Sequence, residues 1–597
     1  MVPCTKHDPQ VRRFVNKHGD DRVQFKLQSA CDTIREAKLV WRTPSTEREQ
    51  SLHHLGHVNG NEFYGTTLST REPIDYVFYL HACDKPRWFT PSGLQLNSSK
   101  PQAWFRYDPT THAPFDTPDW VRDAVFYQIF PERFCDGNSA NNPQGSEPWG
   151  ATPATRNFMG GDLQGILHKL DYLSDLGISA LYLTPVFESA SNHKYDTIDY
   201  FKVDPHFGDN ELLKELVRAC HARGIRVILD AVFNHCSNLH PFFLDVKAKG
   251  EASRYWNWFF VRKWPIPDQF AKHKDALEWY ECWWGFHTLP KLNYENPEVE
   301  RYFLDVARYW LREANIDGWR LDVPNEVIHS FWPKFRRAVK EVNAQAYIVG
   351  EIWDDATPWL NGDQFDAVMN YRFQKALLHY FAEQSIDTRQ FDHTLRQIML
   401  DYPEQATAVM LNLLGSHDTS RPMSIALGEA ASNQDPGAQP VGGPKSAEFA
   451  LQSMKLMAVM QLTFEGAPCI YYGDEIGMRG GKDPDCRRCY PWHKPPNERN
   501  LDLFTHYQKL IAIRKANPAL RAGTFQPFVA DNSRGVYAFE RRAGGNHCLV
   551  ALNRDQTAHE VKLPAHTHAT ELLSNQHIST DQITLPARAA VILRINT

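Results

Sequence analysis

The chain has 597 residues, and its 42% hydrophobic and 23% charged content are those of a globular protein with about three or four domains. The net charge of −6, without any run of basic residues, argues against a nucleic-acid-binding protein. No segment has the character of a signal peptide or a membrane span, and the 11 cysteines are too scattered for a disulfide framework. We therefore expect a cytoplasmic protein with no membrane or nucleic-acid partner.

Both ends of the chain are rich in strand-like patterns. DRVQFKLQ alternates Val23, Phe25 and Leu27 with polar residues, and DYVFYLHA is a second run of this kind. Near the other end, GVYAFERR, HCLVALNRD and AAVILRI are short strands separated by turns. These patterns predict an N-terminal β-sandwich over residues 1–118 and a C-terminal β-sandwich over residues 518–597.

The middle of the chain, residues 119–517, alternates short apolar strands with helical patterns. AVFYQIF, ISALYLTPVF and IRVILDAVFNH are the first three strands, with LQGILHKLDYLSDLG and NELLKELVRACHARG between them. Five more strands follow, and eight strands separated by helices predict a (β/α)8 TIM barrel. Residues 236–292 are too long for an ordinary connection, so we expect an inserted domain after the third strand.

Polar residues gather at the ends of four of these strands, which in such a barrel meet at one face. The third, fourth, fifth and seventh strands end in LDAVFNH, WRLDVPNE, VGEIWDD and LLGSHDTSR. Their polar side chains are Asp230, Asn234, His235, Arg320, Asp322, Glu326, Glu351, His417 and Asp418. Burying several carboxylates with few cations is costly, so we interpret this rim as an active site rather than as structural ion pairs.

Several carboxylates at one rim suit glycoside hydrolysis, which in its retaining form needs two carboxyl groups roughly 5–5.5 Å apart. Arg320 and Asp322 share one face of a strand, so Arg320 should favour the ionised Asp322 that a nucleophile requires. Glu351 follows the apolar run YIVG, where desolvation should raise its pKa as a general acid needs. Asp418, beside His417, is expected to hold a sugar hydroxyl.

The motifs DAVFNH, GWRLDVPNE, GEIW and LGSHD, in this order, resemble the four signature regions of the α-amylase family. LPKLN at 289–293 is similar to the MPKLN region of its neopullulanase, cyclomaltodextrinase and maltogenic amylase branch, and YQIFPERF, HKYDTIDY and DPDCRR also resemble that branch. The resemblance implies a hydrolase that cleaves α-1,4 and some α-1,6 glucosidic bonds in cyclodextrins, short maltodextrins and pullulan. It also implies transglycosylation.

The resemblance implies a role for each matching residue. Asp322 would be the nucleophile, Glu351 the acid/base and Asp418 the stabiliser of the transition state. The implied substrate-binding residues are His235, Arg320, His417, Asp483, Arg487, Tyr195 and Trp353, with Asp230 and Glu326 at the same rim. Two structural alternatives stay open, namely that Tyr195 is a core residue and that Arg487 is an exposed charge.

A calcium site and a dimer are further implications of the resemblance. CDGNSANNPQG, together with GGDL, resembles the calcium loop of the branch, and oxygen ligands of this kind suit Ca²⁺. The candidate ligands of this structural ion are Asp136, Asn138, Asn141, Asn142, Gly160 and Asp162. A plain Asn/Gly turn is the alternative. No organic cofactor is expected, and the N-terminal domain would form a homodimer that narrows the active site.

The sequence departs from the branch at several positions. Pro324 replaces the usual Ala, Gly415 often corresponds to Asp, and Ser420 and Pro422 replace Glu and Phe after HDT. These changes leave the three carboxylates intact but put the substrate preference in doubt. An exo-acting maltodextrin glucosidase, an endo-acting α-amylase and a non-catalytic glucan-binding relative remain as alternatives.

Overall fold

The structure, a computed structural model, describes residues 5–30, 34–58, 60–82, 85–96, 101–112, 115–272, 274–432, 437–494 and 500–596. The chain forms two compact units. The first comprises residues 1–117, 355–366 and 392–407, and the second comprises residues 118–354, 367–391 and 408–597. In the described ranges, no helix combines the length and apolarity that a membrane crossing requires.

The N-terminal unit contains two antiparallel sheets around one core. The strands of the first sheet are Thr5–Lys6, Val15–His18, Arg22–Ser29, His53–Val58 and Asn61–Ser69. The strands of the second sheet are Ile34–Arg42, Glu47–Ser51, Ile74–Ala82, Lys85–Thr90, Gly93–Leu96 and Phe105–Tyr107. Phe25 and Leu27 from the first sheet and Tyr76 and Phe78 from the second lie in the same buried cluster. The alternating pattern of DRVQFKLQ therefore marks the inward face, and the predicted β-sandwich is confirmed.

The second unit is built around eight parallel strands. In chain order they are Phe126–Ile129, Ala180–Leu183, Arg226–Ala231, Gly318–Leu321, Tyr347–Gly350, Ala367–Val368, Leu411–Leu413 and Ala467–Tyr471. Neighbours along the chain pair in parallel, and the first strand also pairs with the eighth. A parallel bridge between Met369 and Leu411 joins the sixth strand to the seventh. The predicted barrel is confirmed, and its eight strands are those expected from the sequence.

Helices lie before, between and after the barrel strands along the chain. They are Asp119–Asp123, Pro131–Phe134, Leu163–His168, Leu170–Leu176, Asn210–His221, Pro241–Lys249, Pro297–Glu313, Phe331–Val342, Tyr371–Leu377, Thr388–Asp401, Glu404–Thr407, Pro422–Ala426, Ala447–Thr463, Leu501–Ala516 and Pro518–Ala522. Side-chain caps lie at the start of several of these helices, where a side-chain oxygen accepts a hydrogen bond from a free N–H of the first turn. Asp209 accepts from Leu212 N–H at 2.8 Å, for example.

The segment predicted as an inserted domain leaves the third strand and returns to the helix Pro297–Glu313. It contains the helix Pro241–Lys249 and short 3-10 turns, including Trp283–Gly285. A bridge between His235 and Lys291 ties its two ends together next to the rim of the barrel. The insertion therefore forms part of the wall around the predicted site.

The C-terminal strands form one continuous antiparallel sheet. Its spatial order is Thr524–Asp531, Val536–Ala543, Asn546–Asn553, Ala590–Ile595, His559–Glu571 and Gln576–Leu585. Apolar side chains from these strands, among them Val536, Leu549 and Leu593, gather in one buried cluster. The domain bounds expected from the sequence stay predictions. In the structure, residues 355–366 and 392–407 group with the N-terminal strands.

Candidate active site

The register of the barrel brings the predicted polar residues to one rim. Asp230 of the third strand pairs with Arg320 of the fourth, and Arg320 pairs with Val349 of the fifth. Asp322 and Glu351 each lie one residue beyond the end of their strand, so they meet at the same face. The rim is thus assembled by parallel pairing, as expected for a barrel of this type.

Arg320 is the centre of this rim, and none of its surface is exposed. Its Nη1 lies 2.8 Å from Oδ1 of Asp230 and 2.9 Å from Oδ1 of Asp322, while Nη2 lies 2.7 Å from Oε2 of Glu351. One guanidinium therefore binds three carboxyl groups. The sequence predicted the contact with Asp322 but not those with Asp230 and Glu351, because sequence adjacency shows only one of them.

This sharing changes the expected electrostatics of Asp322. Burial raises the pKa of Asp322 above the ordinary range; Arg320 lowers it and nearby Glu351 raises it further. Burial likewise raises the pKa of Glu351 to about 7, opposed by Arg320. Arg320 favours the ionised Asp322, as expected from the sequence, but it also serves Asp230 and Glu351, so burial outweighs it and the pKa of Asp322 stays raised.

Asp230 is fully buried and points at protein groups. Its Oδ2 accepts from the hydroxyls of Tyr182 at 2.7 Å and Tyr195 at 3.0 Å, and both of its oxygens contact Arg320. Asp230 was grouped with the substrate-binding residues by its position at the rim. In the structure it holds Arg320 instead of facing open space.

Val323, directly after Asp322, has a strained backbone. Its φ is 32° and its ψ 51°, which is rare for a β-branched residue. Pro324 follows, and a proline disfavours the right-handed helical region for the residue before it. In this conformation the Val323 N–H donates to Oε2 of Glu351 at 3.1 Å. The departure at Pro324 thus belongs to the turn that links Asp322 with Glu351.

A row of hydrogen bonds runs from the barrel interior to Asp418. Gln128 Nε2 donates to Nδ1 of His417 at 2.8 Å, so Nε2 of His417 carries the proton. That Nε2 lies 3.0 Å from Oδ2 of Asp418 and 2.5 Å from the hydroxyl of Tyr195, whose ring stacks on His417 at 5.4 Å. Burial lowers the pKa of His417 to about 3, so the imidazole is a neutral donor. Tyr195 therefore belongs to the site and not to the bulk of the core.

Arg487 joins Asp418 to a second loop. Its Nη2 lies 3.2 Å from Oδ1 of Asp418, its Nη1 lies 2.8 Å from Oδ1 of Asp483, and its Nε donates to the carbonyl of His417 at 2.8 Å. Burial alone would raise the pKa of Asp418, but His417 and Arg487 outweigh it and the pKa lies below the ordinary value. Arg487 is thus held by the site and is not a free surface charge.

Two tryptophans flank the carboxylates in different ways. Trp353 Nε1 donates to Oε1 of Glu351 at 3.1 Å, and its ring stacks on Tyr371 at 3.7 Å. Trp284, in the inserted segment, is 70% exposed and donates to Oε1 of Glu326 at 3.0 Å. Trp353 therefore orients Glu351, whereas Trp284 offers a free aromatic face.

His235 connects the catalytic rim with an aromatic stack. Its Nε2 lies 3.0 Å from the carbonyl of Tyr195, and its ring lies 5.8 Å from that of Trp283. Trp283 in turn stacks on Trp284 at 5.3 Å and on Phe286 at 5.7 Å. Flat rings in a row suit the apolar faces of sugars.

Sequence reasoning missed four residues of this site: Gln128, Tyr182, His193 and Trp284. Gln128 and Tyr182 lie inside barrel strands among apolar residues, and a polar side chain in such a strand was the available signal. His193 is two residues before Tyr195, and its Nδ1 accepts from the Tyr195 N–H at 3.1 Å. His193 is the first residue of the motif HKYDTIDY, which was the available signal, whereas only tertiary contacts identify Trp284.

The candidate calcium residues also come together. Asp162 accepts from the N–H groups of Gly137 at 3.0 Å and Asn138 at 2.9 Å, and from Nδ2 of Asn141 at 3.3 Å. Asn142 Nδ2 donates to Asp136 at 3.0 Å. The loop is therefore ordered largely through N–H donors, and Oδ1 of Asn138 accepts from the Ala140 N–H at 3.2 Å.

Two amide oxygens in this loop are buried without a hydrogen-bond partner in the described part of the chain, namely Oδ1 of Asn141 and Oδ1 of Asn142. A Cβ at Gly160 would come within 2.4–2.6 Å of the Asn142 amide. Orphaned amide oxygens near Asp136 and Gly160 are donors of the type that Ca²⁺ prefers. The residues present fit a calcium ion.

Comparison with known proteins gives the family. Residues 128–523 match the model of the alpha amylase catalytic domain, and residues 525–592 match the maltogenic amylase C-terminal domain. The chain belongs to the α-amylase family of glycoside hydrolases. The first match spans all eight barrel strands except the first two residues of the first strand, so it includes the complete rim.

Members of the family resemble this chain over most of its length. It is 44% identical over 570 residues to a cyclomaltodextrinase of Geobacillus thermopakistaniensis, covering 94% of this chain and 92% of that protein. It is 43% identical over 558 residues to the intracellular maltogenic amylase of Bacillus subtilis, covering 91% and 89%. A solved cyclomaltodextrinase structure superposes with a TM-score of 0.89 at 38% identity, covering 99% of both chains. The resemblance inferred from the motifs is confirmed.

Proposed function

We propose that this glycoside hydrolase cleaves α-1,4-glucosidic bonds of cyclodextrins and short maltodextrins with retention of configuration. It also cleaves some α-1,6 bonds, acts on pullulan and transfers glycosyl groups to sugar acceptors. The observation that carries the proposal is the sharing of Arg320 by Asp322 and Glu351. Two carboxyl groups on neighbouring nitrogens of one guanidinium are held close together, which suits the roughly 5–5.5 Å separation of retaining enzymes.

In the first step Asp322 attacks the anomeric carbon while Glu351 gives its proton to the glycosidic oxygen. The bond between that carbon and that oxygen breaks, and a covalent glycosyl ester with Asp322 forms. The raised pKa of Glu351 supports this role, because a carboxyl group that keeps its proton near neutral pH is an effective acid. Arg320 stays beside Asp322 and stabilises the carboxylate that each cycle restores.

In the second step the ionised Glu351 takes a proton from water or from the hydroxyl of another sugar. The oxygen of that acceptor attacks the anomeric carbon and releases Asp322. Asp418 accepts hydrogen bonds from sugar hydroxyls as the ring distorts, and its low pKa keeps it ionised for this purpose. Transfer and hydrolysis differ only in the acceptor, so the exposed stack around Trp284 favours sugars as acceptors.

Two neutral imidazoles at the rim complete the proposed site. His417 and His235 both have pKa values lowered by burial, to about 3 and about 4, and therefore stay neutral through the working pH range. A neutral imidazole adds no positive charge that would lower the pKa of Glu351. Arg487 and Asp483 would bind the next sugar along the chain.

The test uses the purified protein and its Glu351→Gln variant, with the exposed Glu251→Gln as the control. Each receives α-cyclodextrin, maltotriose, pullulan and soluble starch, and products are resolved by chromatography with an anomeric assay of the first product. We expect retained α-configuration, faster opening of the cyclodextrin than of starch, and loss of at least about 10²-fold in Glu351→Gln only. Faster digestion of starch would indicate an endo-acting α-amylase, and glucose as the sole early product from starch would indicate an exo-acting glucosidase. No cleavage by the unaltered protein would leave a glucan-binding role.

We also propose a structural calcium ion, a homodimer and a cytoplasmic location. Asp136, Asn138, Asn141, Asn142, Gly160 and Asp162 would hold the ion through oxygen atoms. The orphaned oxygens of Asn141 and Asn142 support this assignment. The dimer, formed through the N-terminal sandwich, rests on the resemblance to the branch, and sedimentation equilibrium tests it. The Bacillus subtilis relative, named intracellular, supports the location.

A further inference from the structure

Arg421 is a buried arginine outside the proposed catalytic set. It follows Asp418 by three residues, and none of its surface is exposed. Its backbone N–H donates to the carbonyl of Gly480 at 2.9 Å, and its Nε donates to the carbonyl of Cys486 at 2.9 Å. Arg421 therefore joins the loop after the seventh barrel strand to the loop that carries Arg487.

Asp474 holds the other side of this guanidinium. Nη1 of Arg421 donates to Oδ1 of Asp474 at 2.9 Å and to the carbonyl of Tyr472 at 2.8 Å. The ring centroids of Tyr471 and Tyr472 lie 4.4 and 4.9 Å from Cζ of Arg421. Contacts on its edges and faces leave the guanidinium in one orientation.

Two polar atoms of the Arg421–Asp474 ion pair lack hydrogen-bond partners. Nη2 of Arg421 and Oδ2 of Asp474 are buried and have no hydrogen-bond partner in the described part of the chain. Burial raises the pKa of Asp474 to about 7, although Arg421 opposes this. A buried ion pair with unused polar atoms is a poor source of stability, so its position next to the rim points to a role in the site.

The contacts of Cys486 and Arg487 lead from Arg421 to the substrate side. The Cys486 thiol donates to the carbonyl of His417 at 3.1 Å, and Nε of Arg487 donates to the same carbonyl at 2.8 Å. Arg487 then reaches Asp418 with Nη2 at 3.2 Å. A shift of the Cys486 carbonyl would therefore move Arg487 relative to Asp418.

We propose that Arg421 is a positioning residue that sets the placement of Arg487 against Asp418, and that Asp474 is the counter-ion that fixes Arg421. The inference rests on the proposed function, in which Asp418 and Arg487 contact the sugar. Arg421 and Asp474 do not touch substrate themselves. Their effect on the reaction passes through Arg487.

A double-mutant cycle on the full-length protein tests this route. Arg421→Lys keeps the charge but loses the fork of donors, and we expect kcat/KM on maltotriose to fall about 10- to 100-fold because a small displacement of a sugar-binding group is costly. In an Arg487→Lys background the same change should cost less than about 3-fold, since the positioned group is already lost. An equal loss in both backgrounds would overturn the proposal.

Asp474→Asn gives an independent arm, because asparagine keeps an acceptor at the position of Oδ1 but removes the charge. We expect it to lower kcat/KM in the same direction and to show the same dependence on Arg487. The cycle is run with this variant if Arg421→Lys does not fold. Unchanged kcat/KM in Asp474→Asn, or a loss that follows the fall in melting temperature and not the state of Arg487, would contradict the role of Asp474. Inactivity of the unaltered protein on every glucan would instead refute the proposed function.

Discussion

Gly415 lies directly against the carboxylate of Asp474. A Cβ at position 415 would come within 2.4 Å of Oδ2 of Asp474 and 3.1 Å of Cδ of Pro422. Gly415 begins the turn that leads to Asp418, so the space taken by Asp474 decides which residue fits there. Any side chain at position 415 would therefore press on this buried acid.

Replacing Gly415 by Ala should displace the turn that carries Asp418. We expect kcat/KM on maltotriose to fall by about 10-fold or more and the melting temperature to drop, because the methyl group cannot fit without moving Asp474 or the backbone. Gly545→Ala is the control, since a Cβ there meets nothing within 4 Å. Normal activity and stability of Gly415→Ala would show that the turn has room to relax.

The activity should decline as pH rises through neutrality. Glu351 must be protonated to act as the acid, and its pKa of about 7 in the free protein sets the basic limb of kcat/KM. Above this pH we expect about a tenfold loss per pH unit, measured with maltotriose at constant ionic strength. A basic limb above pH 9 would contradict this assignment of the acid.

Ionisation of Glu351 should also lower the free energy of unfolding as the pH rises. Its pKa is raised from 4.5 to about 7 on folding, so the folded state holds a proton that the unfolded state releases between these values. Stability from this group is therefore greatest at low pH and is lost as pH rises from about 4.5 to 7.

Glu351→Gln removes that loss, because glutamine stays neutral. We expect the variant to be more stable than the unaltered protein above pH 7, by about 1–3 kcal/mol, and close to it near pH 5. Urea unfolding at both pH values provides the measurement, with the exposed Glu251→Gln as control. A variant that is less stable at pH 8 would show that the contact with Arg320 outweighs desolvation.

Trp284 should matter for long substrates and for sugar acceptors. Its exposed ring continues the stack of Trp283, so Trp284→Ala should raise KM for maltoheptaose several-fold and lower the transfer-to-hydrolysis ratio, with little change on maltotriose. Trp264→Ala is the matched control, because this tryptophan is 50% exposed elsewhere on the inserted segment. Equal effects of the two variants would argue against a sugar platform at Trp284.

Removal of calcium should destabilise the barrel without changing the chemistry. We expect a chelator to lower the melting temperature by several degrees and added Ca²⁺ to restore it, since a ligand that binds only the folded state stabilises it. Asn142→Ala should abolish this response, whereas Ser139→Ala in the same loop should keep it. A melting temperature that changes with neither chelator nor Ca²⁺ would indicate that the loop is a plain Asn/Gly turn.

The sequence by itself determined the barrel and its rim. Four of the apolar runs that form barrel strands end in polar residues such as Asp230, Arg320 and Glu351, and the parallel strands of a barrel bring such ends to one face. The inward residues of the N-terminal sandwich were equally visible, because a strand alternates its faces with a period of two. Periodicity and strand ends are local properties, which a sequence displays directly.

Only the tertiary structure decided how the charges are shared. Arg320 binds Glu351 as well as Asp322, Asp230 faces inward, and Arg421 pairs with Asp474. These contacts join side chains from strands and loops that are far apart in the chain. The pKa of a carboxyl group follows from every neighbour and from burial, not from the next residue in sequence. The sequence therefore showed which residues form the site, whereas packing determined which of them are protonated and which of them form ion pairs and hydrogen bonds with one another.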